Sequence, residues 1–85
     1  MKRTNAPLNL SEYINIDPNV CHGQPCFKGT RILVYLVLEL LEAGETPQQI
    51  LKSYPRLTAQ AIRAALHYAA EIIKRDEYTP FHASA

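Results

Sequence analysis

Apolar positions recur at helical spacing in the second half of this chain. Ile62, Ala65, Leu66, Ala69 and Ile73 fall at offsets 0, 3, 4, 7 and 11, one stripe of an α-helix. Gln60, Arg63, Ala64, His67 and Glu71 lie off that stripe. The pattern predicts a helix from Ala59 to about Arg75 with an apolar face in the core and a polar face outside. Thr58 is placed to cap it, and Asp76, Glu77 and Pro80 point to a frayed end.

Two more helices precede it. Thr46-Pro47-Gln48-Gln49 is a helix start: Thr46 caps, Pro47 suits the first helical position, and Gln49 completes a capping box. Ile50, Leu51 and Tyr54 give this short helix one apolar face, and Pro55 ends it, leaving Arg56 and Leu57 in a turn. The segment LVYLVLELLEA, Leu33 to Ala43, carries only Glu39 and Glu42 as charges. Its length allows a buried strand, but Leu, Glu and Ala favour helix and Gly44 suits the position just past a helix end. Apolar residues surround it, so it must sit centrally or show a face to a partner.

The first part of the chain reads differently. Tyr13-Ile14-Asn15-Ile16 alternates and stops at the turn signal Asp17-Pro18, which predicts a short strand. Cys21 to Gly29, with Gly23 and Pro25, predicts a loop of tight turns, and Thr30-Arg31-Ile32 a second short strand able to pair with the first. The expected fold is mainly α, three helices with a short N-terminal β-hairpin or strand extension. Residues 1–12 are expected as a flexible N-terminal segment, 13–75 as the domain and 76–85 as a short tail.

A compact unit of this size builds only a marginal core alone, which makes association with a second copy an expectation. Ile14, Ile16, Leu33, Leu36, Val37 and Leu40 are the candidates for a dimer or partner interface. At 85 residues the chain has room for one domain, and no apolar run approaches the ~20 residues of a membrane span. The first residues carry two positive charges but no apolar stretch, so no secretory signal is expected and the cytosol is the expected compartment. Cys21 and Cys26 are then expected as thiols. The net charge of +1 excludes a strongly basic nucleic-acid binder by composition, so any DNA reading must rest on local pattern.

That pattern lies between Thr46 and Tyr68: a short capped helix, a turn, and a longer helix with a polar outer face. This is the plan of a helix-turn-helix, whose second helix enters the major groove. Gln60, Arg63 and His67 project from one side of the longer helix. Arg bonds guanine edges and Gln adenine edges bidentately. Lys52 and Arg56 are candidates for phosphate contacts, and Thr58 stands at the helix start. From the pattern alone, a helical hairpin whose polar face meets water is the reading favoured over DNA contact.

Other chemistry has less support. Lys28 and Arg31 in the loop from Cys21 to Arg31 invite a phosphate-site reading, but Gly29-Thr30-Arg31 lacks the Gly-Lys-Ser/Thr of a phosphate-binding loop, and turns explain the glycines. Cys21, His22 and Cys26, with His67 or His82, lack the paired spacings of a structural zinc site, so no metal is expected. Glu39 and Glu42 are accounted for by solvation. No enzyme activity and no cofactor are expected.

Asp17-Pro18, Gly23-Gln24-Pro25-Cys26, Gly29-Thr30-Arg31-Ile32-Leu33-Val34, Gly44, Ile50-Leu51, Tyr54-Pro55-Arg56-Leu57-Thr58 and Ala64-Ala65-Leu66 together resemble one small prokaryotic family. It is catalogued as a domain of unknown function and described as VapB-like antitoxins with a homeodomain-like or winged helix-turn-helix. The resemblance spans about residues 13–72. It implies a dimeric three-helix DNA-binding fold with an N-terminal β extension, and a PIN-like ribonuclease toxin as partner. The ten residues after Arg75 are short for a toxin-wrapping arm, so no long neutralising arm is expected. The expected function is an antitoxin that binds its operator DNA as a dimer. The alternative is a protein-interaction module without DNA binding, using the apolar helix from Leu33 and the strand edge.

Overall fold

In the computed structural model, which describes residues 8–75, short irregular elements give way to three helices. A 3-10 turn at Leu10–Glu12 leads into β1 (Ile14–Asn15). A second 3-10 turn at Cys21–Gly23 precedes β2 (Cys26–Phe27), followed by α1 (Val34–Glu42), α2 (Pro47–Ser53) and α3 (Ala59–Arg75). The expected segment 1–12 and tail 76–85 lie largely or wholly outside the described residues, as does His82.

The hairpin forms, but with a different second strand from the one expected. β1 pairs antiparallel with β2, Ile14 opposite Phe27 and Asn15 opposite Cys26. Thr30-Arg31-Ile32 instead folds back along the other edge of β2. The Phe27 N–H donates to the Ile32 carbonyl at 2.9 Å, and Cys26 bridges to Leu33. Cys26 and Phe27 thus stand between two flanking segments, and both are buried. A two-residue strand is too short for alternation to mark it, so the Gly- and Pro-rich surroundings dominated the sequence pattern. The turn that reverses the chain is held by Thr30, whose hydroxyl donates to the Phe27 carbonyl at 2.7 Å and accepts from the Ile32 N–H at 3.0 Å.

Helix α1 begins without a capping side chain. Its first N–H, from Val34, instead donates to the Pro25 carbonyl at 3.0 Å, so the loop before β2 supplies the missing acceptor. Its end follows the sequence signal. Gly44, at φ +98°, donates to the Leu41 carbonyl and Glu45 to the Leu40 carbonyl, each at 3.0 Å, the paired bonds of a Schellman motif.

Helix α2 carries the full capping box. The Gln49 N–H donates to Thr46 Oγ1 at 3.1 Å, and the Thr46 N–H donates to Gln49 Oε1 at 2.8 Å. Thr46→Ala should therefore destabilise the domain by about 0.5–2 kcal/mol. Denaturant unfolding measures this; a change indistinguishable from zero would show that the box adds nothing to the folded state.

Helix α3 starts on Thr58, whose hydroxyl accepts from the Ala61 N–H at 3.1 Å. It packs on α1, α2 and β1. The core comprises Ile14, Phe27, Val34, Val37, Ile50, Leu57, Ala61, Ile62, Ala64 and Ala65. This corrects the expected phase of α3. Ala64, placed off the stripe, is fully buried, whereas Leu66 and Ile73 are 51% and 57% exposed. The buried edge is made of alanines because a helix lined by Ala61, Ala64 and Ala65 can approach its neighbours closely. A pattern weighted towards large apolar residues misses that.

Candidate nucleic-acid interface

The side of α3 that faces away from the core is a polar ridge. Gln60, Arg63 and His67 are all exposed and stand at helical spacing on that side. Neighbouring groups hold them in place. Arg63 donates to Gln60 Oε1 at 3.2 Å, His67 Nε2 lies 3.7 Å from a Glu71 carboxylate oxygen, and Lys74 Nζ lies 3.8 Å from the same oxygen. The ridge therefore presents a guanidinium and an amide bonded to each other near the start of α3, and an imidazole beside a carboxylate further along. A guanidinium and a side-chain amide are groups able to bond purine edges bidentately.

The remaining candidates surround the start of α3. Thr58 is exposed, but its hydroxyl is already engaged in capping. Lys52 is exposed in the last turn of α2, where its charge also complements the helix dipole. Arg56 projects from the turn between α2 and α3 and donates to the Gly29 carbonyl at 3.2 Å, 27 positions away along the chain. The six polar candidates thus lie on α3, in the α2–α3 turn and in the last turn of α2. Sequence reasoning missed the meeting of Arg56 with the turn after β2. Nothing in the linear pattern signals a contact across that separation.

The interface candidates divide. Ile14 and Val37 are buried in the protomer's own core, which corrects their assignment to a partner surface. Leu33, Leu36 and Leu40 are half-buried, and Ile16 is 55% exposed. The open apolar surface lies elsewhere. Tyr35 and Leu38 of α1 and Tyr68, Ala69, Ile72 and Ile73 of α3 line an apolar groove of about 310 Å³. The stripe read from the sequence included Ala69 and Ile73 but assigned them to the core, so their part in an open groove was unread.

Cys21 and Cys26 are free thiols. Burial pushes the Cys26 thiol above its ordinary range, and its hydrogen bond to Cys21 adds to the shift. Among the described residues no group of three or more His, Cys, Asp and Glu side chains is placed to hold a metal ion. No helix among them is long and apolar enough to cross a membrane.

Residues 14–69 match the family model described as "Protein of unknown function (DUF433)". A protein named uncharacterized protein y4eO, from Sinorhizobium fredii, is 36% identical over 58 residues, covering 68% of this chain and 26% of that protein. The crystal structure of a DUF433 member from Anabaena variabilis is similar at a TM-score of 0.70 and 35% identity, covering 78% of this chain and 65% of that one. The chain thus spans about a quarter of the length of the first relative and just under two thirds of the second.

Proposed function

The chain belongs to the DUF433 family, and from the polar ridge on α3 we propose that it is a dimeric, sequence-specific DNA-binding protein. In this reading α2 and α3 act as a homeodomain-like helix-turn-helix. Arg63 and Gln60 read base edges, His67 lies along the same groove, and Lys52 and Arg56 contact phosphates. The observation that carries the reading is the juxtaposition of Gln60 and Arg63, both exposed and bonded to each other, on the first turns of a helix whose other side is core. The antitoxin role belongs to the same proposal: the protein represses its own promoter and neutralises a PIN-like ribonuclease toxin. The test is an electrophoretic shift of the promoter upstream of its gene against random duplexes, with and without the product of the adjacent gene. Preference for the promoter supports the reading; equal affinity for random DNA in both conditions refutes it.

A dimer suits the weak net charge. One protomer neutralises few phosphates, so affinity has to come from two half-sites. The apolar groove is the face for a second copy. Its α1 side is the first half of that helix and its α3 side the last half. Ile73→Asp, at an exposed position, should shift the sedimenting species from a dimer to the single-chain mass of 9.6 kDa without loss of helical signal. A dimer that survives the substitution would place the interface elsewhere.

The groove also favours the second reading, a protein-interaction module without DNA binding. A wild-type monomer that captures the adjacent gene's product and ignores DNA would establish it.

A further inference from the structure

The turn after β2 and the turn before α3 meet in an open cleft. Asn15, Gly29, Thr30, Arg31, Ile32 and Arg56 line it, and its volume is about 460 Å³. Two cationic side chains from distant parts of the chain are thus brought to one opening. Neither has a carboxylate to neutralise it: both ion pairs among the described residues involve Glu71, on α3. The carboxylate of Asp17, in the preceding turn, accepts from the Asn19 N–H at 2.8 Å.

The framework around the two guanidinium groups is built rather than loose. Arg56 is anchored by its single bond to the Gly29 carbonyl, which leaves most of its five N–H donors unassigned. The turn that carries Arg31 is pinned on both sides by the Thr30 hydroxyl. Gly29 sits at φ +77° with nothing within 4 Å of where a Cβ would be, so the chain passes the cleft as open backbone. Two planar, permanently charged forks beside an accessible opening match the oxygens of a tetrahedral oxyanion.

We propose that this cleft is a phosphate site in which Arg31 and Arg56 together grip one phosphodiester of a nucleic-acid backbone. The proposal rests on the DNA-binding reading and extends it by a residue, Arg31, from outside the helix pair. The location favours a polymer phosphate. Arg56 lies two residues before Thr58, the cap of α3, so the cleft opens beside the helix end that carries Gln60 and Arg63. A backbone phosphate held there, beside the groove that α3 enters, would fix the register of the helix on the duplex.

The test uses the full chain and two probes. Duplex DNA, promoter and random, is titrated by fluorescence anisotropy over a series of salt concentrations. Inorganic phosphate is titrated against the isotope-labelled protein at constant ionic strength, following backbone amide shifts. Arg31→Ala, with a wild-type thermal transition, should weaken promoter and random DNA alike and lower the salt slope by about one. Arg31→Lys should recover the slope but not all of the affinity, because the fork geometry is lost. Unchanged affinity and slope in Arg31→Ala, with wild-type DNA binding intact, overturn the inference and leave the DNA reading standing. If the wild type binds no duplex, that reading falls and the phosphate arm decides the chemistry of the cleft. Shifts at Gly29, Thr30 and Arg31 that vanish in Arg31→Ala would then support an anion site for free phosphate, and their absence would overturn the site altogether. Should Arg56→Ala perturb the turn it anchors, Arg31→Ala alone carries the result.

Discussion

Phe27→Ala should destabilise the domain by about 3–5 kcal/mol, the cost of removing an aromatic ring from a closed core. Phe27 is 1% exposed, sits on the middle segment of the hairpin, and belongs to the cluster that joins β1 to all three helices. A small domain has little more stability than that to lose, so the variant should be largely unfolded near physiological temperature. Denaturant unfolding at a temperature where both proteins fold gives the number. Leu66→Ala is the matched contrast. Sequence periodicity places Leu66 in the core, but it is 51% exposed, so its truncation should fall within about 0.5 kcal/mol of wild type. Equal losses in the two variants would mean that α3 packs in the phase the large residues indicated and not in the one described.

Arg63→Ala should lose about 1–3 kcal/mol of specific DNA binding and relax preference at one base position. The guanidinium is exposed on the ridge and held by Gln60, while Ile62 beside it in sequence points into the core. The truncation therefore removes an exposed guanidinium and leaves the core intact. Lys52→Ala should act in another way, weakening all sequences together and lowering the salt slope by about one. Competition shifts against single-base variants of the promoter separate the two behaviours. Uniform weakening in Arg63→Ala would demote that side chain from base reader to phosphate contact. No effect on any DNA would remove α3 from the interface.

The helices were legible because their causes are local. Thr46, Pro47 and Gln49 close a box within one turn, Gly44 supplies a left-handed end, Pro55 stops α2, and Thr58 starts α3. Each signal involves neighbours a few positions apart, so the linear order contains it. The polar candidates Gln60, Arg63 and His67 were legible for the same reason, since helical spacing alone puts them on one side.

What packing decides was not legible. The pairing of β2, the alanine edge of α3, the core positions of Ile14 and Val37, and the carbonyl of Pro25 that starts α1 depend on segments distant in sequence. Several close-packed arrangements satisfy the same apolar pattern. Only the tertiary fold selects one, because burial rewards shape and close approach as well as hydrophobicity. The two features with the most consequence for function follow the same logic. The groove between Tyr35 and Ile72, and the cleft that joins Arg31 to Arg56, come from elements far apart in the chain. The sequence by itself determined three helices and a polar ridge; the fold decided which surfaces were left open beside that ridge, since surface is what remains after the core has chosen its members.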